Sequence, residues 1–337
     1  MKGMILTGAT QRTERPRRLM PRITPKLLLE RYSLIGIWFL MAVSFSILQP
    51  SSFLQLASLR SIVSSNAPLV FIALGAFMPL YTGDFDLSVP FIAGLVAVII
   101  PVMAVLHGVN IVVACLVAVL AAAACGVVNG LVVVYFSVDP FVATLGSGTV
   151  LLGIGLAISG QTSVGGLNQS FSNVAVYNFL GLPLAFWYGI LLVAAMAYVL
   201  TFTPFGRRLN FVGMNREVSR LAGIRVNRVR FASYIVAAIL AGLGGLLMVM
   251  QLGGFDDGSA TDYLLPTFAA VFLGAAVVRP GRVNPIGTVI GAYFLSTGTL
   301  GLEVLGYSGW AEDIFYGVVL IVGVAVATAV SRRTMRL

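Results

Sequence analysis

Apolar runs of about 20 residues alternate with short polar segments along almost the whole chain. A helix needs about 20 predominantly apolar residues to cross the hydrocarbon core of a bilayer. The runs that approach this length predict ten transmembrane helices, at residues 33–49, 63–82, 89–106, 111–135, 140–160, 184–202, 231–252, 263–279, 284–302 and 312–331. The pattern therefore predicts an all-α, polytopic membrane protein.

The composition excludes an ordinary soluble domain. Hydrophobic residues make up 58% of the chain and charged residues 10%, whereas soluble domains contain about 25% charged residues. Cys115 and Cys125 fall in one apolar run, and His107 is the only histidine. Neither a disulfide framework nor a metal site is indicated, and we expect no cofactor.

The net charge of +9 indicates membrane topology rather than nucleic-acid binding. Of the 21 lysines and arginines, all but Arg60 lie on one side of the predicted helices, and an excess of basic residues marks the cytosolic side. We expect a cytosolic tail (1–32), one transmembrane domain (33–331) with a cytosolic loop (203–230), and a second cytosolic tail (332–337). An even number of helices places both termini in the cytosol.

A faint internal relation links the two halves of the chain. The stretch GDFDLS at residues 83–88 and the stretch GFDDGS at residues 254–259 each combine glycine, phenylalanine, two acids and serine. Two halves of five helices each would have opposite orientations, which is an architecture that transporters use. The match is short, so an inverted five-plus-five repeat and chance composition both remain open.

Two carboxylates stand in the most apolar part of the chain. Asp84 and Asp86 lie between Arg60 and Arg207, a segment with no lysine or arginine. Asp86 or Ser88 can cap the third predicted helix by accepting backbone N–H groups. Ionisable residues near the membrane interior are costly and often functional, so a gate formed by this stretch is the second interpretation.

The largest polar loop contains a short amphipathic segment. Asn215 is a suitable N-cap, and Gly223 is a suitable C-terminal stop. Between them, Val218, Leu221 and Ala222 recur at helical spacing on one face. Two helical turns are not stable alone in water, so we expect this face to pack against the membrane domain or a partner; an ordinary basic loop lying on lipid headgroups is the alternative.

Four stretches together resemble the permease subunits of ribose-type monosaccharide ABC importers. They are GDFDLSV (83–89), NGLVVVYFSVDPFVATLG (129–146), TPFGRRLNFVGMNREVSRLAGIRV (203–226) and GTVIGAYF (287–294). They occur in the family's order and span roughly residues 60–300. The chain departs from the family's pattern at Pro90 and in its glycine-rich stretch, where Arg279 and Arg282 appear.

The resemblance implies a division of labour among subunits of a bacterial inner-membrane importer. Two permease subunits, identical or sister chains, would form the pathway within membrane lipid. Two cytosolic ATPase subunits would drive it, and an extracytoplasmic binding protein would deliver a monosaccharide or similar small polyol. The resemblance assigns the coupling to the ATPase to Gly213, Asn215, Glu217, Arg220 and Gly223.

The residues themselves agree with a non-catalytic subunit. No P-loop motif occurs, and the only lysines are Lys2 and Lys26, so the chain cannot cradle ATP in a P-loop. A neutral polyol needs hydroxyl, amide and aromatic groups that face a cavity, and no strong charge. The candidates are Asn66, Asn129, Thr144, Gln161 and Tyr293, although each could instead satisfy the backbone of a neighbouring helix.

Two other classes of function remain as alternatives. A secondary transporter driven by an ion gradient could use Asp84 and Asp86 as an ion site. An intramembrane aspartyl enzyme could also use two carboxylates, but these two lie on one loop, whereas paired catalysis needs carboxylates that converge from separate elements.

Overall fold

The computed structural model describes residues 25–255, 259–278 and 281–334, with side chains described within 32–255, 261–278 and 281–328. The predicted tails therefore lie largely outside the described residues. The second acidic pair, Asp256 and Asp257, also lies outside them, so the internal repeat stays a prediction.

The described residues are almost entirely helical. The helices are α1 (Pro25–Leu48), α2 (Pro50–Phe53), α3 (Leu56–Ser64), α4 (Ala67–Tyr81), α5 (Val89–Pro101), α6 (Ile111–Gly130), α7 (Pro140–Ser159), α8 (Gln169–Val176), α9 (Leu184–Phe202), α10 (Pro204–Met214), α11 (Arg216–Leu221), α12 (Val226–Leu252), α13 (Ser259–Asp262), α14 (Leu264–Gly274), α15 (Pro285–Val304) and α16 (Trp310–Thr334). Short π-helical segments, Val102–Leu106 and Leu131–Tyr135, extend α5 and α6. The strands are β1 (Val164–Gly165), β2 (Asn178–Phe179), β3 (Leu182–Pro183) and β4 (Gly254–Phe255), which pair as β1–β4 and β2–β3.

The prediction of an all-α, polytopic membrane protein is confirmed. Eight helical stretches in the described residues are long and apolar enough to cross a membrane. The first and eighth predicted spans correspond to shorter apolar helices, Tyr32–Leu48 and Leu264–Gly274. The eighth was predicted to reach residue 279, but α14 ends at Gly274, where the side chain of Asn284 donates to the carbonyl oxygens of Gly274 and Val277.

Helices α4, α5 and α12 form the centre of the bundle. Helix α12 packs against α4, α5 and α6, and α14 packs against α15. In the spans containing α4 and α5, 72% of an apolar 18-residue stretch is buried. In the spans of α9 and α16 this share is 17%, and leucine, isoleucine and valine side chains are exposed. The described chain therefore has an inner layer of buried helices and an outer layer with an apolar surface, which inside a bilayer can face lipid or another subunit.

Small residues allow the central helices to approach closely. A Cβ atom on Gly245 of α12 would overlap the carbonyl oxygen of Ala93 in α5. Likewise, a Cβ atom on Gly291 of α15 would overlap the carbonyl oxygen of Ala270 in α14. Close approach at small residues maximises van der Waals contact between helices that gain little from the hydrophobic effect inside a bilayer.

The connections between helices gather at two ends of the bundle. At one end, the turn of residues 82–88 contacts residues of the 203–230 loop, and Arg282 donates to Asn210. We call this end the arginine face. At the opposite face, β1 pairs with β4, which joins the connection after α7 to the connection after α12.

The Gly245–Ala93 contact yields a stability prediction. We expect Gly245→Ala to lower the thermal unfolding midpoint of the full-length chain, because the added methyl forces α5 and α12 apart; overfilling a well-packed site costs about 1–3 kcal/mol. The control is Gly153→Ala in α7, whose Cβ would meet nothing within 4 Å. Reaction of Cys115 and Cys125 with a thiol-reactive dye reports unfolding, and equal midpoints for the two variants would contradict the contact.

Candidate functional site

Asp84 lies at the centre of the arginine face and is only 1% exposed. Arg216 Nη2 lies 2.7 Å from Asp84 Oδ1, and Arg230 Nε lies 2.7 Å from Asp84 Oδ2. Arg230 Nη2 also donates to Asp84 Oδ1 at 2.9 Å. A buried carboxylate is costly unless it is paired and hydrogen-bonded, and here both oxygens are satisfied by guanidinium groups.

The two arginines bring distant elements to the α4–α5 turn. Arg216 is the first residue of α11, and Arg230 lies in the second turn of α12. Arg216 also donates from Nε and Nη2 to the carbonyl oxygen of Thr82, at 3.2 and 2.7 Å. The junction therefore joins three segments: the end of α4, the short helix α11 and the start of α12.

Two glycines make room for this junction. Gly83 has a φ of +84°, a left-handed conformation that side chains rarely adopt, and it lies beside the Arg216 guanidinium. A Cβ atom on Gly213 would overlap the carbonyl oxygen of Tyr81. Gly213, which the family resemblance assigns to ATPase coupling, thus lies where α10 meets the end of α4.

Helix α11 is the short amphipathic segment that the sequence predicts. The side chain of Asn215 accepts hydrogen bonds from the backbone N–H groups of Glu217 and Val218, at 2.9 and 3.1 Å, so the predicted N-cap is confirmed. Gly223 follows the helix with a φ of +78°. The predicted apolar face does not pack on the membrane domain: Val218 is 61% exposed and Leu221 is 88% exposed.

Unlike Arg216, the other two charged residues of α11 are exposed and do not contact Asp84. Glu217 Oε1 lies 3.6 Å from Arg220 Nη1, and both side chains are more than half exposed. Exposed pairs of this kind contribute about 0–1 kcal/mol to stability. The Glu217–Arg220 pair therefore does little to hold the loop, in contrast to the buried pairs of Asp84.

Asp86 belongs to a second network, whose described members include no basic side chain. Its Oδ1 accepts hydrogen bonds from the backbone N–H and the hydroxyl of Ser88, and the Asn129 amide donates to the Ser88 hydroxyl at 2.7 Å. The Thr144 hydroxyl accepts from the backbone N–H of Leu87 at 2.9 Å and donates to the carbonyl oxygen of Pro140 at 2.7 Å. These contacts fasten the 85–88 turn to α6 and α7.

The capping interpretation needs correction. Ser88 is the N-cap residue of α5, but its side chain makes no capping hydrogen bond. Asp86 accepts the N–H group of Ser88 itself rather than one from the first turn of α5. The hydroxyl of Ser88 instead donates to Asp86 and accepts from Asn129. The sequence could not show this, because Asn129 lies on a distant helix.

Burial raises the pKa of Asp86 from its ordinary 3.8 to about 6. The two hydrogen bonds from Ser88 oppose this shift, and the charge of nearby Asp84 adds to it. Because the native carboxyl binds its proton more tightly than the unfolded one, the contribution of Asp86 to stability is fully present below about pH 4 and is lost as the pH rises through 6.

The predicted pathway residues do not gather at one place. Asn66 lines a cavity of about 430 Å³ at the opposite face, together with Ser296 and Thr299 of α15 and the carboxyl groups of Glu303 and Glu312. Asn129 and Thr144 instead belong to the Asp86 network. Two further candidates lie apart from this cavity: Gln161 is exposed in the connection after α7, and Tyr293 contacts Phe186.

Sequence reasoning missed Arg216 and Arg230 as partners of Asp84. A usable signal did exist, because a carboxylate in an apolar region needs a cation and the topology places the 203–230 loop on the same side. It also missed Asn284, which caps α15 through Gly287 N–H at 2.7 Å while its amide closes α14. No group of metal-ligating side chains occurs among the described residues.

Residues 58–324 match the family described as the branched-chain amino acid transport system / permease component. The chain belongs to this family. The predicted resemblance to importer permeases is thereby confirmed, and the chain is the transmembrane permease subunit of an ABC importer rather than an enzyme. Membership sets aside the ion-gradient transporter and the aspartyl enzyme, and it implies partner subunits that hydrolyse ATP and bind solute.

The permease resembles characterised relatives over most of its length. It is 31% identical over 271 residues to the Autoinducer 2 import system permease protein LsrC of Salmonella typhimurium, which covers 80% of this chain and 78% of the relative. It is 31% identical over 288 residues to the Ribose import permease protein RbsC of Bacillus subtilis, which covers 85% of this chain and 89% of the relative. No solved structure matches the chain.

The two aspartates should respond oppositely to neutralisation. We expect Asp84→Asn to destabilise the permease by about 3 kcal/mol, because removing one partner of a buried ion pair leaves the other charge uncompensated. At pH values above 6, we expect Asp86→Asn to raise the thermal unfolding midpoint, because asparagine keeps an acceptor oxygen for Ser88 without a buried charge.

Thermal unfolding of full-length variants between about pH 4 and pH 8 tests both expectations. The advantage of Asp86→Asn over the wild-type chain should shrink as the pH falls toward 4. A loss of stability in Asp86→Asn as large as that in Asp84→Asn would contradict the distinction between the two networks.

Proposed function

We propose that this permease carries a monosaccharide or similar small polyol, delivered by an extracytoplasmic binding protein. The names of the relatives, one for ribose import and one for autoinducer 2 import, support this class of solute. The cavity at the opposite face offers hydroxyl and amide groups, including those of Asn66 and Thr299, which can accept or donate hydrogen bonds to a polyol. Four acidic residues also line it, so it is more acidic than the sequence predicts for a polyol path: Asp262, Glu303, Glu312 and Asp313. In this proposal the cavity is the solute's entry, and Asn129 and Thr144 hold the structure rather than line the path.

Helix α11 is the proposed contact with the ATPase. The observation that carries this is the exposed apolar pair Val218 and Leu221, on a helix whose first residue is bound to buried Asp84. Of the coupling residues implied by resemblance, Asn215 and Gly223 bound the helix, and Glu217 and Arg220 surround its apolar face. Gly213 allows α10 to pack closely against the end of α4.

The arginine face is the proposed cytosolic face. All lysines and arginines except Arg60 belong to the side that the sequence assigns to it, in agreement with the excess of basic residues on cytosolic loops. Both termini then lie in the cytosol, and the chain resides in the bacterial inner membrane. Two permease subunits, either identical or sister chains, complete one pathway, and residues 33–331 form one transmembrane domain in each.

The energy source gives the first test of this proposal. In proteoliposomes that contain the permease, its ATPase and its binding protein, we expect uptake of labelled ribose or a related polyol to require ATP. Collapse of the ion gradient by a protonophore should leave the initial rate unchanged. Uptake that continues without ATP and stops with the protonophore would contradict the proposal.

The exposed face of α11 gives the second test. We expect Leu221→Asp to reduce co-purification of the ATPase by at least about tenfold, because a leucine buried in an interface contributes about 1.5–3 kcal/mol. Leu180→Asp is the matched control, since Leu180 is 76% exposed in the connection at the opposite face. Glu217→Arg should also reduce ATP-driven uptake without lowering the unfolding midpoint. Undiminished association in Leu221→Asp would remove α11 from the interface.

A further inference from the structure

Three arginines line one cavity on the arginine face, between α10 and the start of α12. The cavity has a volume of about 630 Å³ and is lined by Arg208 of α10, by Arg225, which precedes α12, and by Arg228 in the first turn of α12. We call it the arginine cavity. It is separate from the Asp84 junction, because neither Arg216 nor Arg230 lines it.

The positive charge in the arginine cavity is not neutralised by the described part of the chain. None of the three guanidinium groups forms an ion pair or a side-chain hydrogen bond with another described residue. The only carboxylate of the 203–230 loop, Glu217, lies 3.6 Å from Arg220, and Asp84 in the α4–α5 turn binds Arg216 and Arg230. Guanidinium groups that converge without a carboxylate favour an anion, and a phosphate suits their planar donor geometry.

The remaining walls of the cavity are apolar. Phe205, Val229 and Ala232 line it beside the arginines. From Arg225 to Ala232 the cavity follows α12 for seven residues, or about 10 Å. A ligand that fits this cavity would have an anionic head and an apolar body, unlike a free inorganic anion.

The length of α12 sets the depth of this cavity in the membrane. Helix α12 has 27 residues, which corresponds to about 40 Å, and the hydrocarbon core is about 30 Å thick. Because the sequence predicts that this membrane span begins at residue 231, the surplus length falls at the N-terminal end of α12, which puts the arginines among headgroups and Ala232 nearer to the acyl chains. We propose that the arginine cavity binds an anionic phospholipid, with its phosphate on the arginines and its glycerol and first methylenes against Phe205, Val229 and Ala232.

The experiment measures retention of phosphatidylglycerol by the full-length permease in detergent, read by native mass spectrometry. The test variant is Arg225→Gln/Arg228→Gln. The matched control is Arg207→Gln/Arg282→Gln, which removes the same charge from a neighbouring cavity on the same face. Each arginine near an anionic headgroup contributes about a fivefold change in affinity, so we expect about a twentyfold loss in the test variant and little change in the control.

Thermal unfolding in nanodiscs separates lost binding from misfolding. In phosphatidylcholine alone, the test variant and the wild-type permease should unfold at the same temperature. Added phosphatidylglycerol should raise the midpoint of the wild-type and control chains but not that of the test variant. An equal rise in all three chains would overturn the proposal.

Two further arms distinguish other anions. Inorganic phosphate at millimolar concentration should not displace the retained phosphatidylglycerol; displacement would identify a small-anion site and overturn the lipid assignment. The ATPase subunit should co-purify equally with the test and control variants. Loss of the ATPase with unchanged lipid retention would assign the arginine cavity to the ATPase interface instead.

Discussion

The arrangement of the arginine face depends on one buried carboxylate. Asp84 is 1% exposed and lies between the guanidinium groups of Arg216 and Arg230. An uncompensated charge at such a position costs several kcal/mol, so the turn after α4 folds stably only when both arginines reach it. That requirement fixes where the 203–230 loop meets the membrane domain and holds α11 in place with its apolar side chains outward.

The same junction connects the surface to the most buried helices. Arg230 belongs to α12, which packs against α4 and α5 at the centre of the bundle, and Asp84 lies in the turn that joins α4 to α5. Glycines such as Gly245 keep these helices in close contact. A displacement of α11 would therefore act first on the inner layer of helices and on α9, which packs against α4 and α10, whereas α16 packs against α14 and α15.

Periodicity and charge were sufficient for the architecture. Within the residues that the structure describes, hydropathy located the eight long apolar spans and the two shorter apolar helices, and the Asn215 cap of α11 followed from local residue preferences. Hydropathy and local residue preferences do not predict contacts between distant segments. Pairing Asp84 with Arg230 requires knowing which helices are neighbours. For the same reason the sequence could not decide whether Asn129 lines the pathway or satisfies a neighbouring element; in the structure its amide donates to the Ser88 hydroxyl.

The spacing of the Asp84 partners has a consequence for how this family can diverge. Arg216 and Arg230 lie 132 and 146 positions from Asp84, yet the three side chains share one buried site. A substitution of Asp84 leaves two guanidinium groups without their carboxylate, whereas loss of one arginine leaves Asp84 paired with the other. Lineages that abandon the acid should therefore replace its bases as well. Related sequences should then show correlated substitutions at these three positions, even where the surrounding loop has lost recognisable similarity.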